Sequence, residues 1–114
     1  MKRTTGMSQV VASRVFNLRG KSGDGSTIEI SLGLPIVDPS SSADSINWLC
    51  PVGIRTPEST RVRPIYGVDS WQALELAMRI APSFIDHHEA GMDDDSKAFL
   101  RSMRVEPLNP PTGR

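Results

Sequence analysis

Apolar and polar positions alternate with period 2 from Ser26 to Leu34. Ile28, Ile30, Leu32 and Leu34 fall on one face, and Thr27, Glu29, Ser31 and Gly33 on the other. That alternation predicts a half-buried β-strand. Val10 to Arg19 predicts a second strand, with Phe16 and Leu18 toward the core and Arg14 interrupting that face near one end. The glycine-rich link Gly20 to Gly25 joins the two as a hairpin. Pro35 to Ser45, with Pro39 and three consecutive serines, reads as a mobile loop. Alternation resumes from Ile46 to Ile54, with Ile46, Trp48, Cys50, Val52 and Ile54 in phase. Pro51 donates no N–H there and requires a bulge, a strand end or an open edge. Thr60 to Val68 is the fourth strand, and Pro64 sets the same condition on it.

The period then changes from 2 to 3.6. Asp69 occupies an N-cap position, and Gln72, three residues on, can reach back to the Asp69 N–H as in a capping box. Val68 and Ala73 occupy the hydrophobic-staple positions. At about 100° per residue, Trp71, Leu74, Ala77, Met78, Ala81, Phe84 and Ile85 share one broad face. Gln72, Glu75, Arg79, Ser83 and Asp86 share the other, with Glu75 and Arg79 as an i,i+4 pair. The apolar phase continues past Pro82, which predicts a long helix kinked there, with Gly91 as its stop. Asp93-Asp94-Asp95 supplies a negative first turn to a short last helix, and Arg101 and Arg104 its positive last turn.

Strands followed by helices predict an α+β fold: a four-stranded antiparallel meander covered on one face by the long kinked helix, plus the short last helix. The chain of 114 residues has the size of one domain. Residues 8–106 are read as that domain, 1–7 as a flexible leader and 107–114 as a disordered tail. Net charge is zero but uneven, at +3 over residues 1–66 and −3 over 67–114. That balance disfavours nucleic-acid binding, which needs a basic footprint. The single Cys excludes an intrachain disulfide and suits a reducing cytoplasm. No run approaches the ~18 apolar residues of a membrane span, so no membrane partner is expected.

Chemistry-bearing residues are few. Cys50 has no neighbouring base and sits in phase with Trp48 and Val52, so it reads as a small buried hydrophobe. Asp86-His87-His88-Glu89 holds metal-ligand residue types, but adjacent helical residues diverge by about 100°, so His87 and His88 are not expected to share a site. Asp93–Asp95 lacks the glycine and spaced ligands of a calcium loop. No catalytic residue, metal ligand or cofactor is assigned. Arg61 and Arg63 share one face of the fourth strand, with Arg55 close in sequence. They could grip an acidic partner, or simply form a solvated sheet face. Trp48, Tyr66 and Trp71 read as core between sheet and helix, with one of them exposed as an interface anchor in the other reading.

The string Trp48-Leu49-Cys50-Pro51, followed by Tyr66-Gly67-Val68-Asp69-Ser70-Trp71-Gln72-Ala73-Leu74, resembles a family of small uncharacterised bacterial proteins. These carry a Trp-x-Cys-Pro-like strand before a Gly-Val-Asp-Ser-x-Gln-Ala-Leu helix start. The likeness spans roughly residues 8–90, and Pro82 and the Asp-rich segment stand outside it. The resemblance implies a bacterial, cytosolic, single-domain protein and carries no activity. Two functions are therefore expected in order. The first is a non-enzymatic domain of inhibitor, immunity or adaptor type that binds another protein through Arg61, Arg63 and an open sheet edge. The alternative is a small-molecule or metal-binding domain, or an enzyme, with Cys50, Tyr66 and His88 converging between sheet and helix. A homodimer through a sheet edge or face is compatible with either.

Overall fold

The structure, a computed structural model, describes residues 9–19 and 26–103. The expected leader 1–7, the Gly20–Gly25 turn, Arg104 and the tail 107–114 lie outside the described residues. The fold is α+β, with an antiparallel sheet followed by helices. The strands are β1 (Val10–Asn17), β2 (Thr27–Gly33), β3 (Ile36–Val37), β4 (Trp48–Arg55) and β5 (Thr60–Gly67). The helices are α1 (Ser70–Ile80) and α2 (Asp94–Met103), separated by two 3-10 turns, Ala81–Phe84 and Asp86–Gly91.

The sheet has five strands, not four, because the expected loop after Pro35 contains β3. β5 pairs with all of β4, so β2 and β3 share the other edge of β4. β2 pairs with Val52–Arg55 and β3 with Trp48–Leu49, and the register advances by one residue between them. Gly33 to Pro35 therefore forms a bulge, and β3 continues the line of β2. Cys50 and Pro51 are the two β4 residues that face this break. The Cys50 thiol donates to the Gly33 carbonyl across it at 3.3 Å.

The prolines follow the hydrogen-bond alternation. Thr56 N donates to Ser59 O at 2.8 Å and Ser59 N to Thr56 O at 3.3 Å, so this pair at the β4–β5 turn exchanges both bonds. Counting back along the ladder, Pro51 and Pro64 face each other at a pair that exchanges none. The donor missing from Pro64 would have pointed off the open edge of β5. The one missing from Pro51 would have pointed into the β2–β3 break. Neither proline costs the sheet a bond.

α1 begins as its cap predicts. Gln72 N donates to Asp69 Oδ1 at 2.8 Å. The Gln72 side chain closes the box one residue earlier than expected, accepting from Val68 N at 2.8 Å. Val68 is 67 % exposed, so it does not staple onto Ala73. The helix is short rather than long and kinked. Its α-helical part has eleven residues and passes into the four-residue 3-10 turn. Pro82 ends it, because Pro82 has no N–H for the Met78 carbonyl. Ser83 Oγ takes up the Ile80 carbonyl at 2.7 Å. Gly91 closes the second 3-10 turn instead of stopping α1.

The core lies between one sheet face and α1. Phe16, Ile28, Ile30, Cys50, Val52 and Ile54 meet Ala73, Ala77, Ala81 and Ile85, with Met92 and Leu100 closing one end. The buried stripe of α1 is Ala73, Ala77 and Ala81, rotated by roughly 60° from the expected face. Gly67 explains the rotation. A Cβ there would stand 2.5 Å from Ala73 N and 2.8 Å from Ala73 Cα. The helix lies with its backbone against β5, and only small residues fit beneath it. Trp71 and Met78, expected inside, are turned outward at 78 % and 55 % exposure.

α2 is held to the end of β1. Asp93 caps it, with Ser96 N donating to Asp93 Oδ1 at 2.8 Å. The Ser96 hydroxyl, buried, accepts from Asn17 N at 2.8 Å. Asp93 N donates to Asn17 O and Arg19 N to Gly91 O, so residues 91–93 cover that end of the β1 edge. The Glu89 carboxylate accepts from Arg101 Nε at 2.8 Å, tying the second 3-10 turn to α2. No described element covers the second face of the sheet. Among the described residues no helix is long and apolar enough to cross a membrane.

Candidate protein interface

The expected pocket of Cys50, Tyr66 and His88 does not form. Side chains alternate across the sheet, so Cys50 faces the helices and Tyr66 faces the bare side. Cys50 is fully buried among apolar groups, which pushes its thiol above its ordinary pKa and away from nucleophilic use. His88 lies near Glu58, at the turn end of the β4–β5 hairpin, whereas Cys50 pairs with Ile65 five strand positions before Arg55. That separation is on the order of 16 Å.

The two imidazoles do come together, with ring centres 4.1 Å apart at a tilt of 41°. Burial lowers the pKa of His88, His87 lowers it further, and Glu58 works the other way. Among the described residues no group of three or more His, Cys, Asp or Glu gathers as a metal site. Asp93 is occupied as a cap. The Ser96 N–H and hydroxyl hold its carboxyl below the usual range.

The three arginines separate. Arg55 lies on the bare face and pairs with Glu29 directly across the strands. Arg61 and Arg63 oppose Ile54 and Val52, so they lie on the helix-bearing face at the β5 edge rather than on an outer sheet face. Both are exposed, and the Arg63 guanidinium stands 5.9 Å from the centre of the Phe84 ring.

Where β5 turns into α1, Val68 is 67 % and Trp71 78 % exposed, while Tyr66, 53 % exposed, looks out from the opposite face of the sheet. Trp71 projects from the first turn of α1, about 160° around the helix from Ala73, which lies on the sheet. The signal for this arrangement was present in the sequence. Alanines at i, i+4 and i+8 opposite a strand-terminal glycine mark the side of closest approach, and Trp71 lies opposite that side.

A second concavity runs between α1 and α2 over β1 and β2. It has a volume of about 530 Å³ and is lined by Ala12, Ile30, Leu32, Met78 and Met103, with Arg14, Glu75 and Arg79 also on its walls. Glu75 and Arg79 do not form the expected ion pair, unlike Glu29–Arg55 and Glu89–Arg101. Arg14 lies 5.3 Å from the centre of the Phe99 ring. Sequence reading missed this groove, since its residues come from four elements at no regular spacing.

A family model described as a domain of unknown function, DUF6968, matches residues 12–94. The match takes in most of the chain, which therefore belongs to that family, in keeping with the resemblance to uncharacterised proteins. No curated protein and no solved structure matches the chain.

Proposed function

We propose that this DUF6968 domain acts by binding another protein, through the corner where β5 runs into α1. The observation that carries the reading is the 78 % exposure of Trp71, with Val68 bare in the same junction. The chain has only two Trp, and one of them stands in solvent at this corner. Trp, Tyr and Arg are the residues that dominate binding hot spots, and Arg61 and Arg63 extend the same edge. Side chains rather than an added strand make the contact. Pro64 withholds its N–H from the open edge, so a partner strand could pair continuously only with Thr60 and Val62. An acidic, apolar-rimmed partner surface suits this corner. A bacterial, cytoplasmic setting goes with this reading, supported by the lone reduced thiol and the family resemblance.

The test is affinity capture from the native cell with wild type, Trp71→Ala and Arg61→Glu/Arg63→Glu. A specific partner is expected to be lost with Trp71→Ala and weakened with the double charge reversal. Trp71 is so exposed that its replacement is expected to cost less than about 0.5 kcal/mol of stability. Capture of the same partner at the same yield by all three proteins refutes the reading.

A further inference from the structure

We propose that the groove between α1 and α2 is a binding site for a small amphipathic carboxylate, a single acyl-type chain ending in a carboxylate head. The proposal is independent of the Trp71 corner.

The size of the groove bounds the class. α1 lies over β4 and β5, and α2 lies over β1. Strands are about 4.8 Å apart, so the two helices straddle roughly 12 Å of sheet. A helix with its side chains is itself about 10 Å across, so no third helix fits between them. The groove's volume of about 530 Å³ falls in the range of small-molecule sites.

The lining selects an apolar chain over a peptide. Ala12, Ile30 and Leu32 form the floor, and Met78 and Met103 stand on the walls. The β1 and β2 backbone groups at Ala12, Arg14, Ile30 and Leu32 are spent on their own ladder. An extended peptide laid there would bury N–H and C=O groups without partners, whereas methylenes lose nothing. The two methionines are adaptable, which suits a flexible chain.

The rim selects the head group. Arg14 and Arg79 both line the groove, from β1 and α1, and neither guanidinium has an ion-pair partner among the described residues. Each can grip a carboxylate through two donors. Glu75 stands one turn before Arg79 and marks the end of the groove that disfavours the head.

The test is a titration of the ¹⁵N-labelled full-length protein with decanoate, and with decyltrimethylammonium as a ligand of the same tail and opposite head. Decanoate is expected to produce saturable amide shifts at Ala12, Arg14, Leu32, Met78 and Met103. Arg79→Gln and Arg14→Gln are each expected to weaken it about tenfold, and Glu75→Gln to tighten it. These three side chains are exposed, so the variants keep the native spectrum. The proposal is overturned by shifts that do not saturate, or by shifts centred on Trp71. Equal binding of the cationic ligand, or unchanged affinity in both arginine variants, overturns it too. Binding that emerges only after removal of residues 104–114 assigns the groove to the chain's own terminus and overturns it as well.

Discussion

Gly67→Ala tests the packing on which the fold depends. The added methyl would stand 2.5 Å from Ala73 N, 2.8 Å from Ala73 Cα and 3.0 Å from Gln72 C. Ordinary contact begins at 3.4 Å, so the helix must retreat by about 0.9 Å. All three obstructing atoms are main chain and cannot rotate aside. A gap of 0.5–1 Å forfeits roughly a quarter to a half of each contact's well depth, and the alanines of α1 lose their seat over β4 and β5 together. Overpacking of this kind costs about 1–3 kcal/mol, and the rigidity of the obstacle puts the expectation at 2 or more. The loss of glycine's unfolded-state freedom returns about 0.4–1 kcal/mol and does not reverse the sign. Urea and thermal unfolding should show a Tm lower by roughly 10 °C with an unchanged m-value. Gly91→Ala is the control: its nearest atom would be Leu18 Cδ2 at 4.0 Å, and near-neutral stability is expected. Adding Ala73→Gly to Gly67→Ala should not restore stability, since the clash is not with the Ala73 methyl. A Gly67→Ala protein as stable as wild type, or rescue by Ala73→Gly, refutes the close backbone approach.

Ser96→Ala should cost about 1 kcal/mol in the same denaturation assay, because it leaves the Asn17 N–H without its acceptor at a part-buried joint. Asp93 has a lowered pKa in the folded chain. Its stabilising effect is therefore complete above the ordinary carboxylate range and is lost as pH falls through the lowered value, so the stability gap between wild type and Asp93→Ala should close in acid and persist at neutral pH. Cys50, buried and with a raised pKa, should react with a thiol-directed disulfide reagent only at the rate of unfolding. Rapid labelling of the native protein would contradict its placement.

The strands were legible because their alternation is strict where one face is buried. Ile28–Ile30–Leu32 and Cys50–Val52–Ile54 lie where period 2 puts them. β3 was not legible, since two residues between Pro35 and Asp38 are too few to show a period and form only because β4 outruns β2. The cap at Asp69 was legible from local chemistry, but the helix that follows was misjudged in length and in rotation. An apolar-moment reading places the bulkiest residues inward, and here the strand-end glycine draws the alanines inward instead. The same error put Trp71 among the core residues in the first reading, where the other reading had one of the large aromatics exposed as an interface anchor. Arg61 and Arg63 were grouped correctly by parity, while Arg55 was separated from them by that same parity. The groove belongs to no element's pattern and could be found only in three dimensions.

The facing prolines of β4 and β5 carry a consequence for life in a crowded solution. A domain that displays a bare indole risks recruiting its own kind, and a ladder with a ready rim would let such encounters lengthen into fibres. Pro64 interrupts one rim, and the 91–93 segment closes the tip of the other. The rim of β5 thereby offers no continuous ladder to an approaching strand.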